Sequence, residues 1–124
     1  MGFDHVEIYC TDFKATYDFY SSSLSCLGFK VLIADSEKGI LGFGTQGFVE
    51  FHITTGKLQI PPLHIAFTAK SIKQVQDFYE AGLANGGIDN GSPGYRVAYH
   101  PQYYAAFLFD PDSHNIEAVY REYL

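Results

Sequence analysis

The chain has 124 residues and a formal charge of −6. That acidity excludes nucleic acid and anionic membrane surfaces as partners, because both select a basic face. No apolar run approaches the ~20 residues of a membrane span, no secretion signal is visible, and Cys10 and Cys26 lack C-x-x-C spacing and are too few for a disulfide framework. A reduced, cytoplasmic protein is expected. Eleven Phe and ten Tyr are many for so short a chain, enough to line a cavity as well as fill a core.

Residues 3–10 read as a first strand, with Val6, Ile8 and Cys10 on one face and His5, Glu7 and Tyr9 on the other. Thr11 or Asp12 can cap the helix that follows. Its apolar stripe is Phe13, Tyr17, Tyr20, Leu24 and Leu27, and Gly28 closes it. Strands are predicted at 29–34, 40–44 and 48–54, separated by Gly-rich turns. Pro61-Pro62 marks a linker, since neither residue can donate to a sheet. A strand at 63–69 and a helix opened by the Ser71-Ile72-Lys73-Gln74 capping box come next, the helix ending at Asn85-Gly86-Gly87. After a turn cluster at 89–94, strands are predicted near 95–100, at 103–110 and at 114–121.

Residues 5–29 and 64–88 match without a gap at an offset of 59. The register aligns His5 with His64, Asp18-Phe19-Tyr20 with Asp77-Phe78-Tyr79, Leu24 with Leu83 and Gly28 with Gly87. The chain is therefore two versions of one strand–helix–three-strand unit, at about 1–60 and 63–124. Phe19, Tyr20, Phe78, Tyr79 and Cys10 are expected in the core, Glu7 at the surface, and His100 and His114 at turns.

The ionisable strand residues share the faces left free by the helices. His5 and His64 open the two units, Glu50 and His52 share a face near the end of the first, and Glu117 lies on the last strand. His5, Glu50 or His52, His64 and Glu117 converging on one cavity make a divalent-metal constellation, because uncompensated charges in a pocket are costly. Such donors suit one ion of zinc, nickel, manganese, cobalt or iron(II).

The double βαβββ order, the paired histidines and the stretch Asp110-Pro111-Asp112-Ser113-His114-Asn115-Ile116-Glu117 resemble the vicinal-oxygen-chelate superfamily of glyoxalases, bleomycin-resistance proteins and extradiol dioxygenases. The resemblance covers essentially the whole chain. Ser113 departs from it, standing where members usually carry Gly. It implies an α+β fold whose eight strands form a curled, open, barrel-like sheet with the helices outside. It also implies metal ligands on the first and last strands of each module: His5, Glu50, His64 and Glu117. Glu50 is placed ahead of His52 because Val49-Glu50-Phe51 mirrors Ile116-Glu117-Ala118.

By the same resemblance the expected activity is that of a metal-dependent lyase or isomerase. It would act on a small substrate with neighbouring oxygens, with Glu117 or Glu50 moving the proton. The alternative is a metal-free protein that binds a drug or metabolite. Arg96, Tyr99 and Tyr104 are the expected substrate contacts, and a homodimer is expected. No residue set identifies glutathione.

Overall fold

The computed structural model describes residues 2–124. The first module contains β1 (Val6–Cys10), α1 (Phe13–Ser23) running into a 3-10 turn (Leu24–Leu27), β2 (Lys30–Asp35), β3 (Ile40–Gly44) and β4 (Phe51–Thr55). The second contains β5 (His64–Thr68), α2 (Ile72–Ala84), β6 (Ile88–Tyr95), β7 (Tyr103–Phe109) and β8 (Asn115–Arg121). As expected, these are two βαβββ units of an α+β fold. Their strands form two four-stranded sheets, ordered β1-β4-β3-β2 and β5-β8-β7-β6. In each sheet the first and last strands of the module run parallel and adjacent, and the other neighbours are antiparallel. Among the described residues, no helix is long and apolar enough to cross a membrane.

Local chemistry explains the helices. Of the two candidate caps, Asp12 accepts from the Ala15 N–H at 3.0 Å and Ser71 does the same for Gln74 at 3.1 Å, each satisfying an amide that has no intrahelical partner. α1 and α2 pack on each other. Phe19, Tyr20 and Leu24 of α1 and Val75 and Phe78 of α2 are buried with Ile8, Phe51, Ile53, Leu108 and Ile116 in one core. Phe51 and Phe67 meet edge to face at 5.3 Å, so the modules share that core. The opposite face of each sheet carries the ionisable residues.

Three strands differ from expectation. β1 starts at Val6 rather than 3, which leaves His5 just ahead of it. The cluster 89–94 lies within β6, and 96–102 forms the turn. β6 is an edge strand with two register shifts, between Asp89 and Gly91 and between Gly91 and Gly94, and such a strand tolerates Pro93. β4 starts at Phe51 rather than 48. Glu50 Oε1 accepts both the N–H and the hydroxyl of Thr45 at 2.6 Å, and this closes 45–50 as a turn.

The Asp110–His114 stretch fastens the modules together. Asp112 accepts the Thr11 N–H at 3.1 Å and the Thr11 hydroxyl at 2.6 Å. Asp110 accepts from Tyr20 of the first module and from the Asp112 and His114 amides. His114, expected at a turn or in solvent, is instead fully buried. Its Nδ1 accepts the Leu63 N–H at 2.9 Å, just ahead of β5, while the Asn115 N–H donates to the Leu63 carbonyl. The motif thereby sets β5 beside β8, the two strands that carry His64 and Glu117. Ser113 has φ 69°, a left-handed conformation that favours glycine.

Candidate active-site cleft

In the second module the register places Ala66 opposite Glu117, Phe107 opposite Glu117 on the other side, and Tyr103 opposite Arg121. Alternation therefore puts His64, Tyr103, Phe107, Glu117 and Arg121 on one sheet face. His64 Nε2 lies 2.8 Å from Glu117 Oε1, and the Tyr103 hydroxyl donates to Glu117 Oε2. The glutamate is 2% exposed, whereas the His64 side chain is about half exposed at 53%. Burial, reinforced by the Glu117 carboxylate, pushes the Tyr103 phenol well above its ordinary pKa, so it remains a proton donor. The Arg121 guanidinium sits over the Tyr103 ring at 5.0 Å and donates to the Tyr123 hydroxyl at 2.6 Å. With Tyr99, these residues line a cleft of about 320 Å³.

The first module places its polar groups differently. Val6 pairs with Phe51 as its repeat mate Ile65 pairs with Ile116, so the register opposes Glu7 to His52 and Ala66 to Glu117. The strand position equivalent to Glu117 is therefore His52, and Glu50 corresponds to Asn115. The short mirror Val49-Glu50-Phe51 is out of register by two residues, which keeps the face but moves the position. Glu50 is held by Thr45 in the turn. Glu7 is exposed, as expected. It accepts the Thr54 hydroxyl at 2.9 Å and faces His52 Nδ1 at 2.9 Å, and these hydrogen bonds, that of Thr54 first, hold it below its ordinary pKa. His5 contacts Asp4 at 2.7 Å and, with Glu50, Thr45, Ala66 and Thr68, lines a cavity of about 480 Å³ between the modules.

Of the expected substrate contacts, Tyr99 lines the His64–Glu117 cleft and meets Tyr103 at 5.1 Å. Arg96 donates to the Gly94 and Ser92 carbonyls and lies over Phe107, whose ring is 6.2 Å from that of His64. Tyr104 points to the other side of the sheet, where its hydroxyl accepts from Gln76 of α2. Tyr103 and Arg121 were not singled out from the sequence, although simple alternation reaches both. Tyr103 lies four residues before Phe107 on β7, and Arg121 four after Glu117 on β8.

The candidate donors fall into two separate groups. His64 and Glu117 already converge on one point of one sheet. His5 lies just ahead of β1, where it contacts Asp4 and shares its cavity with Glu50, while His52 lies on β4 facing Glu7. Among the described residues, no three His, Cys, Asp or Glu side chains come together within the chain. Imidazole and carboxylate donors suit first-row divalent ions.

This fold and this pairing of first and last strands define the class. The chain belongs to the glyoxalase/bleomycin resistance protein/dioxygenase superfamily, whose model matches residues 2–118. It is similar to the crystal structure of a glyoxalase/bleomycin resistance protein from Albidiferax ferrireducens T118, at 32% identity and TM-score 0.80, covering 96% of this chain and 98% of that one. A putative glyoxalase from Bacillus halodurans shares the fold at 20% identity and TM-score 0.68, covering 96% and 95%. So does the E126Q mutant of the fosfomycin resistance protein FosX from Listeria monocytogenes, complexed with Mn(II) and 1S,2S-dihydroxypropylphosphonic acid, at 20% identity and TM-score 0.68, covering 94% and 87%. No curated protein matches the chain.

Proposed function

We propose that the protein is a metal-dependent, glyoxalase-like lyase or isomerase acting on a small substrate with neighbouring oxygens. The observation that carries this reading is the His64–Glu117 pair, an imidazole and a buried carboxylate meeting at 2.8 Å in an open cleft. A divalent ion would be held by His64 and Glu117 from one chain and by His5 and His52 from a second copy, with Glu50 as the alternative to His52. It would supply a Lewis acid for the substrate's oxygens. The reading takes the protein as a cytoplasmic homodimer, the second copy supplying the donors that His64 and Glu117 lack among the described residues of their own chain.

The chain's own groups account for the proton. Glu117 Oε1 is the candidate base. Tyr103 holds Oε2, fixing the carboxylate plane and leaving Oε1 toward the cleft. His64 Nε2 lies 2.8 Å from that oxygen, so the two groups point to one place, and with an ion bound His64 would serve as a ligand while Glu117 alone moves the proton. Burial of Glu117 removes water that would otherwise solvate the base.

A second reading, a metal-free protein binding a drug or metabolite, is favoured by one observation: His64 and Tyr103 already partner both oxygens of Glu117. Metal analysis of untagged protein separates the two. The enzyme reading predicts about one divalent ion per chain, lost in His64→Ala and Glu117→Ala, and turnover of a hemithioacetal or another vicinal-oxygen substrate. Ligand binding unaffected by a chelator, with no metal uptake, would establish the second reading.

A further inference from the structure

We propose that Arg121 sets the substrate class of this cleft by receiving the carboxylate of a small acid that carries a carbonyl or hydroxyl on the adjoining carbon. The inference deepens the functional reading above and rests on it for the identity of the reacting end.

Three features of the cleft lead there. The first is that Arg121 is a cation without a carboxylate partner among the described residues. Of the chain's two arginines, Arg96 spends its donors on its own loop carbonyls, whereas Arg121 lines the cleft. Arg121 gives one N–H to the Tyr123 hydroxyl, and the rest of its planar fork is open to the cleft. A guanidinium fork matches a carboxylate with two parallel hydrogen bonds.

The second feature is that the guanidinium is held in place. The Tyr103 ring lies beneath it at 5.0 Å, and Tyr123, which fixes one N–H, is itself stacked on His100 at 3.7 Å. Arg121 is therefore oriented before any ligand arrives, which lowers the entropy cost of binding.

The third feature is the spacing between anchor and base. Tyr103 touches both ends, its ring face under Arg121 and its hydroxyl on Glu117. One phenol ring thus separates the anion-binding fork from the candidate base. An acid whose carboxylate sits on Arg121 presents its adjoining carbons, at about 1.5 Å per bond, to Glu117 and His64. Tyr99 and Tyr123 supply flat walls, so an aryl group is accommodated, and a cleft of about 320 Å³ restricts the ligand to a small molecule.

The test uses chelator-treated full-length protein and two probes of nearly the same shape, phenylpyruvate and its neutral methyl-ketone analogue phenylacetone. Titration calorimetry should show phenylpyruvate bound at least tenfold more tightly. Arg121→Gln should bring the two probes to parity, while Arg121→Lys should retain part of the preference. Thermal melts and metal content of Arg121→Gln should match wild type. Equal affinity of wild type for the two probes, no binding of phenylpyruvate up to about 1 mM, or an unchanged preference in Arg121→Gln would overturn the proposal. Failure of the metal reading shows itself separately, as wild-type protein that takes up no ion yet still prefers the acid.

Discussion

His52 and Glu117 occupy the same position in their respective sheets: each lies on the last strand of its module, opposite the second residue after the module's opening histidine. Glu50, two residues earlier, is engaged by Thr45. Under the metal reading, His52→Ala should weaken metal binding at least tenfold, as loss of a ligand does. Glu50→Ala should leave metal binding nearly intact and instead cost about 1 kcal/mol of stability through loss of its turn hydrogen bonds. Metal titration and urea unfolding of the two variants check this. The reverse pattern would return the ligand role to Glu50.

Asp112 is 7% exposed, and both Thr11 groups converge on its carboxylate. Asp112→Ala should therefore cost about 2 kcal/mol, the range for a charged hydrogen-bond acceptor removed from a buried site. Thr11→Val should cost less, because the backbone N–H still donates. The two should be non-additive in a double-mutant cycle followed by urea denaturation.

Ser113 pays for its left-handed backbone. Ser113→Gly relieves that strain but frees the unfolded chain, two opposing effects of similar size. A net stabilisation of about 0.5 kcal/mol is expected, read as a small rise in the denaturation midpoint with the slope unchanged.

Burial raises the Asp110 carboxyl above the ordinary 3.8, against the opposing effect of its Tyr20 and amide donors. With a raised folded pKa the folded state keeps the proton longer than the unfolded chain. Stability is then greatest below about 3.8 and falls as pH rises toward the folded pKa. The stability of wild type relative to Asp110→Asn should thus decline over that interval and level off above it. A relative gain with rising pH would mean that the three donors outweigh burial.

Much of this architecture was legible in the residues. The offset of 59 that aligns His5 with His64 announced two modules, and alternation along β8 put Glu117 on the free face. The Glu50–His52 choice was not legible, because both lie on one face and only the strand register distinguishes them. His114 looked like a turn residue from its neighbours Asp112 and Ser113. Its burial follows from a long-range bond to Leu63, which local sequence does not encode. The tyrosine-rich stretch does not itself say whether Tyr103 or Tyr104 faces the cleft, because a shift of one residue on a strand exchanges sheet faces, and it is Tyr103 that reaches Glu117.

In the proposed reading, His5 and His52 of one chain and His64 and Glu117 of another complete one metal site. The direct measurement mixes two variants, His5→Ala/His52→Ala and His64→Ala/Glu117→Ala, under conditions that allow chains to exchange, and determines bound divalent metal. Each variant alone should bind none, and the mixture should regain up to one ion per mixed pair, since one of its two sites has all four ligands. Metal that stays absent after demonstrated chain exchange, or persists in either variant alone, would contradict the account.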